Sequence, residues 1–250
     1  VFAEPDRTGF DLTFRLFGFP VRVHPLFWLA TLFLGSSLFD PDHPEFILAW
    51  VAIAFVSLLA HELGHALAFR FYGVGSHVIL YGLGGLAVPW AHVSGRWQRV
   101  AVALAGPAAG FLLAAAVWGS NRVTPWAGAA PLALFAYFSL LYVNVVWGLV
   151  NLLPVLPLDG GKVSHEVCVH VFRARGTRVA LQISVGVAGA MAVYSLACMA
   201  RLPGLEAALE SAPWWFPRGT LWTLALFGSL AYFSYEQLQQ LRWTDSYWDR

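Results

Sequence analysis

From Phe46 to Ala60 the chain offers one polar side chain, Ser57, and then places His61, Glu62 and His65 in the continuation of the same apolar run. Extended to Arg70, the run is long enough to cross the ~30 Å hydrocarbon core of a bilayer, which takes about 20 helical residues. Lipid supplies no partner for backbone N–H and C=O groups, so such a segment has to be a helix. Charged side chains at the centre of a membrane helix cost about 3 kcal/mol each on insertion scales and persist when they are paired, bind a metal or face a cavity. Three titratable groups in one helix therefore demand a use, and a metal site is the use that fits their types.

The rest of the chain agrees with a membrane setting. Its 250 residues are 58% hydrophobic and 12% charged, with mean hydropathy +0.63, where a soluble domain carries about 25% charged residues. Six apolar segments run roughly over 23–39, 45–70, 100–118, 128–153, 179–200 and 220–241. The expected fold is an all-α polytopic membrane protein of about six transmembrane helices forming one domain over 1–250. A catalytic core over about 20–175 would be followed by extra helices over 179–241.

Orientation follows from the Lys and Arg residues of the connections, which favour the cytoplasmic side. Arg7, Arg15 and Arg22 precede the first segment; Arg70, Arg96 and Arg99 flank the second connection; Lys162, Arg173, Arg175 and Arg178 lie in the fourth. The first connection, 40–44, carries none, and the third carries Arg122 alone. The fifth has Arg201 and Arg218 beside Glu206 and Glu210, with an interfacial aromatic run Trp214-Trp215-Phe216. Both termini are expected to be cytoplasmic, in a plasma (inner) membrane, and residues 1–10 lack the continuous apolar core of a cleavable signal peptide. A formal net charge of +1 gives no field for nucleic acid. Cys168 and Cys198 make no disulfide framework.

The connection from Phe71 to Val88 mixes β-branched and aromatic residues with five glycines. That composition suits a short β-hairpin or re-entrant strand loop after the second helix, with glycines allowing close backbone approach.

The chemistry lies in His61-Glu62-Leu63-Gly64-His65. Residues four apart on a helix differ by about 40° around the axis, so His61 and His65 share a face and can share one Zn²⁺, while Glu62 is turned to reach a metal-bound water as general base. Two imidazoles leave the site one protein ligand short. The best candidate is Asp159, in Asn151-Leu-Leu-Pro-Val-Leu-Pro-Leu-Asp-Gly-Gly161, where Pro154 and Pro157 end a helix and the glycines permit a sharp turn. The residues alone leave a second reading of Asp159 open, as N-cap of the helix that follows.

These features resemble the site-2 proteases, whose signatures are an HExxH in one transmembrane helix and an Asn-x-x-Pro-x-x-x-x-Asp-Gly stretch ending a later one. Asn151, Pro154, Asp159 and Gly160 match the second signature. Val23-His24-Pro25, Gly84-Gly85 and Ala105-Gly106-Pro107 are also similar to that family, and the resemblance covers roughly residues 20–175. It implies that Asp159 is the third zinc ligand and that the substrate is the transmembrane segment of another, single-pass membrane protein, cut in or near the bilayer during regulated intramembrane proteolysis. It further implies that Asn151 lies near the scissile peptide and that the Gly84-Gly85 loop pairs with the unwound substrate as a strand. As a reading of residues, Asn151 also suits a helix C-cap. PDZ and CBS domains, carried by many members of that family, are not expected within this chain, and a homo-oligomer is a compatible assembly.

Asn144 reads as interhelical hydrogen-bonding glue, and His165, Glu166, Cys168 and His170 as the face of an amphipathic helix. The rival from another class is a catalytically silent zinc-binding membrane scaffold or a metal transporter. A transporter is expected to spread polar ligands along a path over several helices, whereas these converge.

Overall fold

The computed structural model describes residues 4–248 apart from 83, 124–125, 127–128 and 212–218; the aromatic run Trp214-Trp215-Phe216 and Arg218 thus lie outside the described residues. The chain divides into two compact units, Val1–Leu149 and Val150–Arg250.

The first unit opens with a feature not anticipated from the sequence, a hairpin of β1 (Leu12–Leu16) and β2 (Phe19–Val23). Its two-residue turn has φ +50° at Phe17 and +86° at Gly18, the doubly positive backbone that matches the twist of adjoining strands. The guanidinium of Arg70 donates to the Phe17 carbonyl at 2.9 Å and lies over the Phe19 ring. Arg22, counted above among the orientation-setting charges, is buried, ion-paired to Glu4 and Asp11 at 2.9 and 3.2 Å, and donates to the Pro5 carbonyl at 2.9 Å.

His24 ends the strand and caps α1 (Pro25–Leu34), its Nδ1 accepting from the Leu26 N–H. Pro25 follows at the first helical position, where its missing N–H is harmless. After α2 (Glu45–Phe71) the chain forms β3 (Ser76–Tyr81) and β4 (Gly84–Pro89), the expected hairpin. It belongs to a larger sheet than expected, ordered β1-β2-β3-β4, in which β2 and β3 are parallel. A parallel pair needs a crossover, and α1 with α2 supplies it. One apolar core joins Val21 and Val23 of β2, Val78 and Leu80 of β3, Phe27 of α1, and Leu58, Leu59, Leu63 and Ala66 of α2. The sheet is thereby fixed against the part of α2 that carries the two histidines.

α3 (Arg96–Ser120) packs on α2. α4 (Pro131–Tyr142) runs through a wide π segment, Val143–Trp147, into α5 (Gly148–Asn151). Asn144, in the π segment, donates through Nδ2 to the Ser57 hydroxyl of α2 at 2.9 Å, which is the gluing role read from the sequence.

The second unit holds α6 (Asp159–Phe172), α7 (Gly176–Met199), α8 (Pro203–Glu210) and α9 (Leu221–Trp248), with α7 and α9 packed along one another. Cys168 is buried in α6, and His165 is within 3.2 Å of the Thr177 hydroxyl at the start of α7.

Among the described residues, four helical runs are long and apolar enough to cross a membrane: Glu45–Phe71, Arg96–Ser120, Pro131–Asn151 and Asp159–Met199. The chain is a multi-pass integral membrane protein. Of the six segments read from the sequence, the first becomes a helix of ten residues, about 15 Å long and half a bilayer core. The last becomes α9, whose second half carries Glu236, Gln237, Gln239 and Gln240.

Candidate metal centre

His61, Glu62 and His65 are all buried, at 8%, 6% and 6% exposure. The Nε2 atoms of His61 and His65 stand 3.2 Å apart. Two nitrogens at the usual zinc distance of about 2.0–2.1 Å, subtending a tetrahedral angle, would stand about 3.3 Å apart. The pair is therefore spaced to chelate one zinc ion.

The protonation of His65 follows from its other nitrogen. Nδ1 lies 2.7 Å from the carbonyl oxygen of Val102 on α3. A carbonyl only accepts, so Nδ1 carries the proton and Nε2 presents its lone pair. This contact fixes both ring orientation and tautomer, as a metal ligand requires.

Space for the rings comes from small residues on the facing helices. A Cβ added at Gly106 of α3 would meet His65 Nε2, with His61 Nε2 at 2.8 Å. Conversely, a Cβ at Gly64 of α2 would meet the Ala105 carbonyl and lie 2.8 Å from the Ala109 methyl. The two helices thus press together at Gly64 and Gly106, and this close approach brings the Val102 carbonyl to His65. A narrow cleft of about 10 Å³, the room of about one water, opens beside His61 and is lined also by Ser57, Gly110 and Asn144.

Glu62 lies under the hairpin. A Cβ at Gly85 of β4 would collide with the Glu62 side chain, with Oε1 at 2.7 Å, whereas one at Gly84 would meet nothing within 4 Å. Gly85 is thus placed directly over the candidate base, on the strand that ends the sheet.

Asn151 and Asp159 belong to the second unit. Asn151 is the last residue of α5 and is partly buried. Asp159 is 3% exposed, and its Oδ1 accepts from Lys162 Nζ at 2.9 Å. The cap position of α6 falls on Leu158, so Asp159 is the helix's first residue and not its N-cap. The glycines after it are required by packing: a Cβ at Gly160 would strike the Leu152 carbonyl, and one at Gly161 the Val155 backbone.

His61, His65 and Asp159 are each buried and each offers one ligand atom. Two imidazoles and a carboxylate make a donor set suited to a catalytic zinc ion. Two contributors had gone unread in the sequence. Gly106 figures in the sequence only as part of the family-like Ala105-Gly106-Pro107, and the Val102 carbonyl, a backbone atom, leaves no mark on side-chain identity.

Residues 124–194 match the profile of Peptidase family M50. A protein of Synechocystis sp. described as a zinc metalloprotease is 31% identical over 205 residues, 75% of this chain and 52% of that protein. A protein of Mycobacterium tuberculosis, Rip3, also described as a zinc metalloprotease, is 29% identical over 214 residues, 80% of this chain and 53% of its own. The chain therefore spans about half the length of these curated relatives. Among solved structures, the site-2 protease from Methanocaldococcus jannaschii superposes with a TM-score of 0.58 at 19% identity, covering 91% of this chain and 94% of that one. The resemblance drawn from the paired motifs is borne out, and the fold is that of a site-2 protease.

Proposed function

We propose that this chain is an intramembrane zinc metalloprotease that hydrolyses a peptide bond in or near the transmembrane segment of a single-pass membrane protein. The observation that carries the reading is the buried His61–His65 pair, spaced for zinc, with Glu62 on the same helix. Asp159 is proposed as the third ligand, on the strength of its burial and of the Asn151-to-Gly160 motif. Together the two units are read as one membrane-embedded catalytic domain. α1 and α9 count with the four long apolar runs as six membrane segments, and both termini are placed on the cytoplasmic side of the plasma membrane.

Zinc held by His61, His65 and Asp159 would act as a Lewis acid and bring the pKa of a bound water toward about 7. Glu62 takes a proton from the attacking water and passes it to the amide nitrogen as the C–N bond breaks, leaving a carboxylate and an amine. Gly85, over Glu62, marks where an extended substrate would lie, with Gly84 beside it on the edge of β4, and pairing as a strand exposes a peptide bond that a helix shields. Asn151 is proposed to hold the substrate backbone beside the cut.

A silent scaffold or transporter has no need of a buried carboxylate next to the histidines. Metal removal separates the readings. Cleavage of a co-purified single-pass substrate in detergent should stop when the protein is stripped by a zinc chelator and return with stoichiometric Zn²⁺. Cleavage that continues in the metal-free protein would refute the proposal.

A further inference from the structure

The segment that delivers Asp159 is not helical between Asn151 and Asp159; turn bonds satisfy the N–H groups of Leu153, Val155 and Leu158, and backbone groups that the turns leave over need partners from elsewhere in an apolar surrounding. Leu156, three residues before Asp159, receives both of its partners from side chains on two later helices. Its N–H donates to the Ser184 hydroxyl of α7 at 2.7 Å, and its carbonyl accepts from the Ser234 hydroxyl of α9 at 3.5 Å. The two hydroxyls are 2.9 Å from each other. The bonds close a ring in one sense: Leu156 N–H to Ser184, Ser184 O–H to Ser234, Ser234 O–H to the Leu156 carbonyl. Each hydroxyl donates once and accepts once, and both serines are fully buried.

Interhelical glue is the ordinary use of serine in a membrane bundle, and α7 and α9 have an instance of it. Ser195 donates to its own helix at Met191 and lies 2.9 Å from the Thr223 hydroxyl. Thr223 also bonds the Thr220 backbone just before α9, so that pair joins α7 to the entry of α9 and not to the Asp159 turn. The Ser184–Ser234 pair differs because the backbone of the turn completes its ring. The turn is held further by Val155, fully buried with Ala188 of α7 and with Phe227 and Leu230 of α9. Gly160 and Gly161 in turn pack without side chains on Leu152 and Val155. A rigid path therefore leads from α7 and α9 through Leu156 to the start of α6.

We infer that Ser184 and Ser234 are positioning residues for the metal centre: they clamp the Leu156 backbone and thereby fix the carboxylate of Asp159. This rests on the reading of Asp159 as a zinc ligand. It gives the helices after the two motif segments a part in the chemistry, since they hold the ligand turn while contributing no ligand.

The test uses the full chain purified in detergent, with zinc affinity measured by competition against a chromophoric chelator and ligand geometry by the visible spectrum of the Co²⁺-substituted protein. Partners that orient metal ligands typically change affinity by 10- to 100-fold. Ser184→Ala with Ser234→Ala should weaken zinc binding by about that factor and alter the Co²⁺ bands, and Ser234→Ala alone should do so in lesser degree, in case the double variant does not fold. Ser195→Ala, which removes a hydroxyl from the same helix pair away from the turn, should leave affinity and spectrum at wild-type values. The clamp is overturned if the folded Ser234→Ala or double variant matches wild type in both readouts while Asp159→Ala releases zinc, or if Ser195→Ala reproduces the change. Wild-type affinity in Asp159→Ala would instead overturn the ligand assignment itself.

Discussion

Glu62→Gln is expected to abolish cleavage of a membrane substrate while one zinc ion per chain stays bound. Gln keeps the size of the buried side chain and the contact beneath Gly85, so neither packing nor the His61–His65 pair should change. What is lost is a carboxylate able to take a proton from water and return it to the leaving nitrogen. Positioned general bases contribute about 10²–10⁴-fold, or about 3–5 kcal/mol of barrier, and a peptide bond offers no easy alternative route. Zinc analysis beside a cleavage time course checks both halves. Cleavage at the wild-type rate with zinc retained would remove Glu62 from the mechanism, and loss of zinc in this variant would place Glu62 in the ligand shell.

Gly106→Ala is expected to empty the site although it adds a single methyl group to a helix. Within a helix the exchange is ordinarily favourable by about 1 kcal/mol, so α3 itself should form at least as well. The new Cβ, however, would fall on His65 Nε2 and within 2.8 Å of His61 Nε2, the two atoms proposed to bind the metal. α3 cannot easily retreat. Gly64 already lies against the Ala105 carbonyl and the Ala109 methyl, and the bond from His65 to the Val102 carbonyl depends on the same close approach. The rings must give way, and zinc affinity should fall at least about 10-fold, with proteolysis falling alongside, as changes around metal ligands commonly cause. Gly110→Ala, one turn further along α3, is the control: its Cβ would make ordinary contacts of 3.5 and 3.6 Å with Asn144. It should keep wild-type zinc content. Full zinc occupancy in Gly106→Ala would show that the helix pair has slack the packing does not suggest.

How legible the molecule was in its sequence depended on whether the deciding physics was local. His61, Glu62 and His65 could be read because four residues make almost one helical turn and because lipid penalises them without a purpose. The hairpin at 76–89 could be read from glycines among β-branched residues. β1 and β2 could have been: Leu12, Phe14 and Leu16 alternate, as do Phe19, Val21 and Val23. The turn between them is Phe17-Gly18, which lacks the Asn or Asp that usually announces a doubly positive turn, so the two alternating runs carry no hairpin signal between them.

α1 shows the opposite difficulty. Its apolar composition continues to Phe39, yet the helix stops at Leu34. Gly35 sits against the Trp50 indole, whose Nε1–H donates to the Thr31 carbonyl at 3.0 Å, so the ending is dictated by a residue fifteen positions away. The stretch Ala105-Gly106-Pro107 is visible as a family likeness, but its use, leaving room for the histidine rings, shows only once α3 is packed on α2. The Ser184–Ser234 ring had no sequence signal, because each serine looks like ordinary membrane-helix polarity until the Leu156 backbone is placed between them.

The most direct measurement is to reconstitute the purified chain in lipid vesicles with a single-pass substrate and map the cut by mass spectrometry, in the metal-free and zinc-restored protein. One zinc-dependent cut in or immediately beside the substrate's transmembrane segment is expected. An intact substrate in the zinc-loaded protein, or cuts confined to regions far from the bilayer, would contradict it.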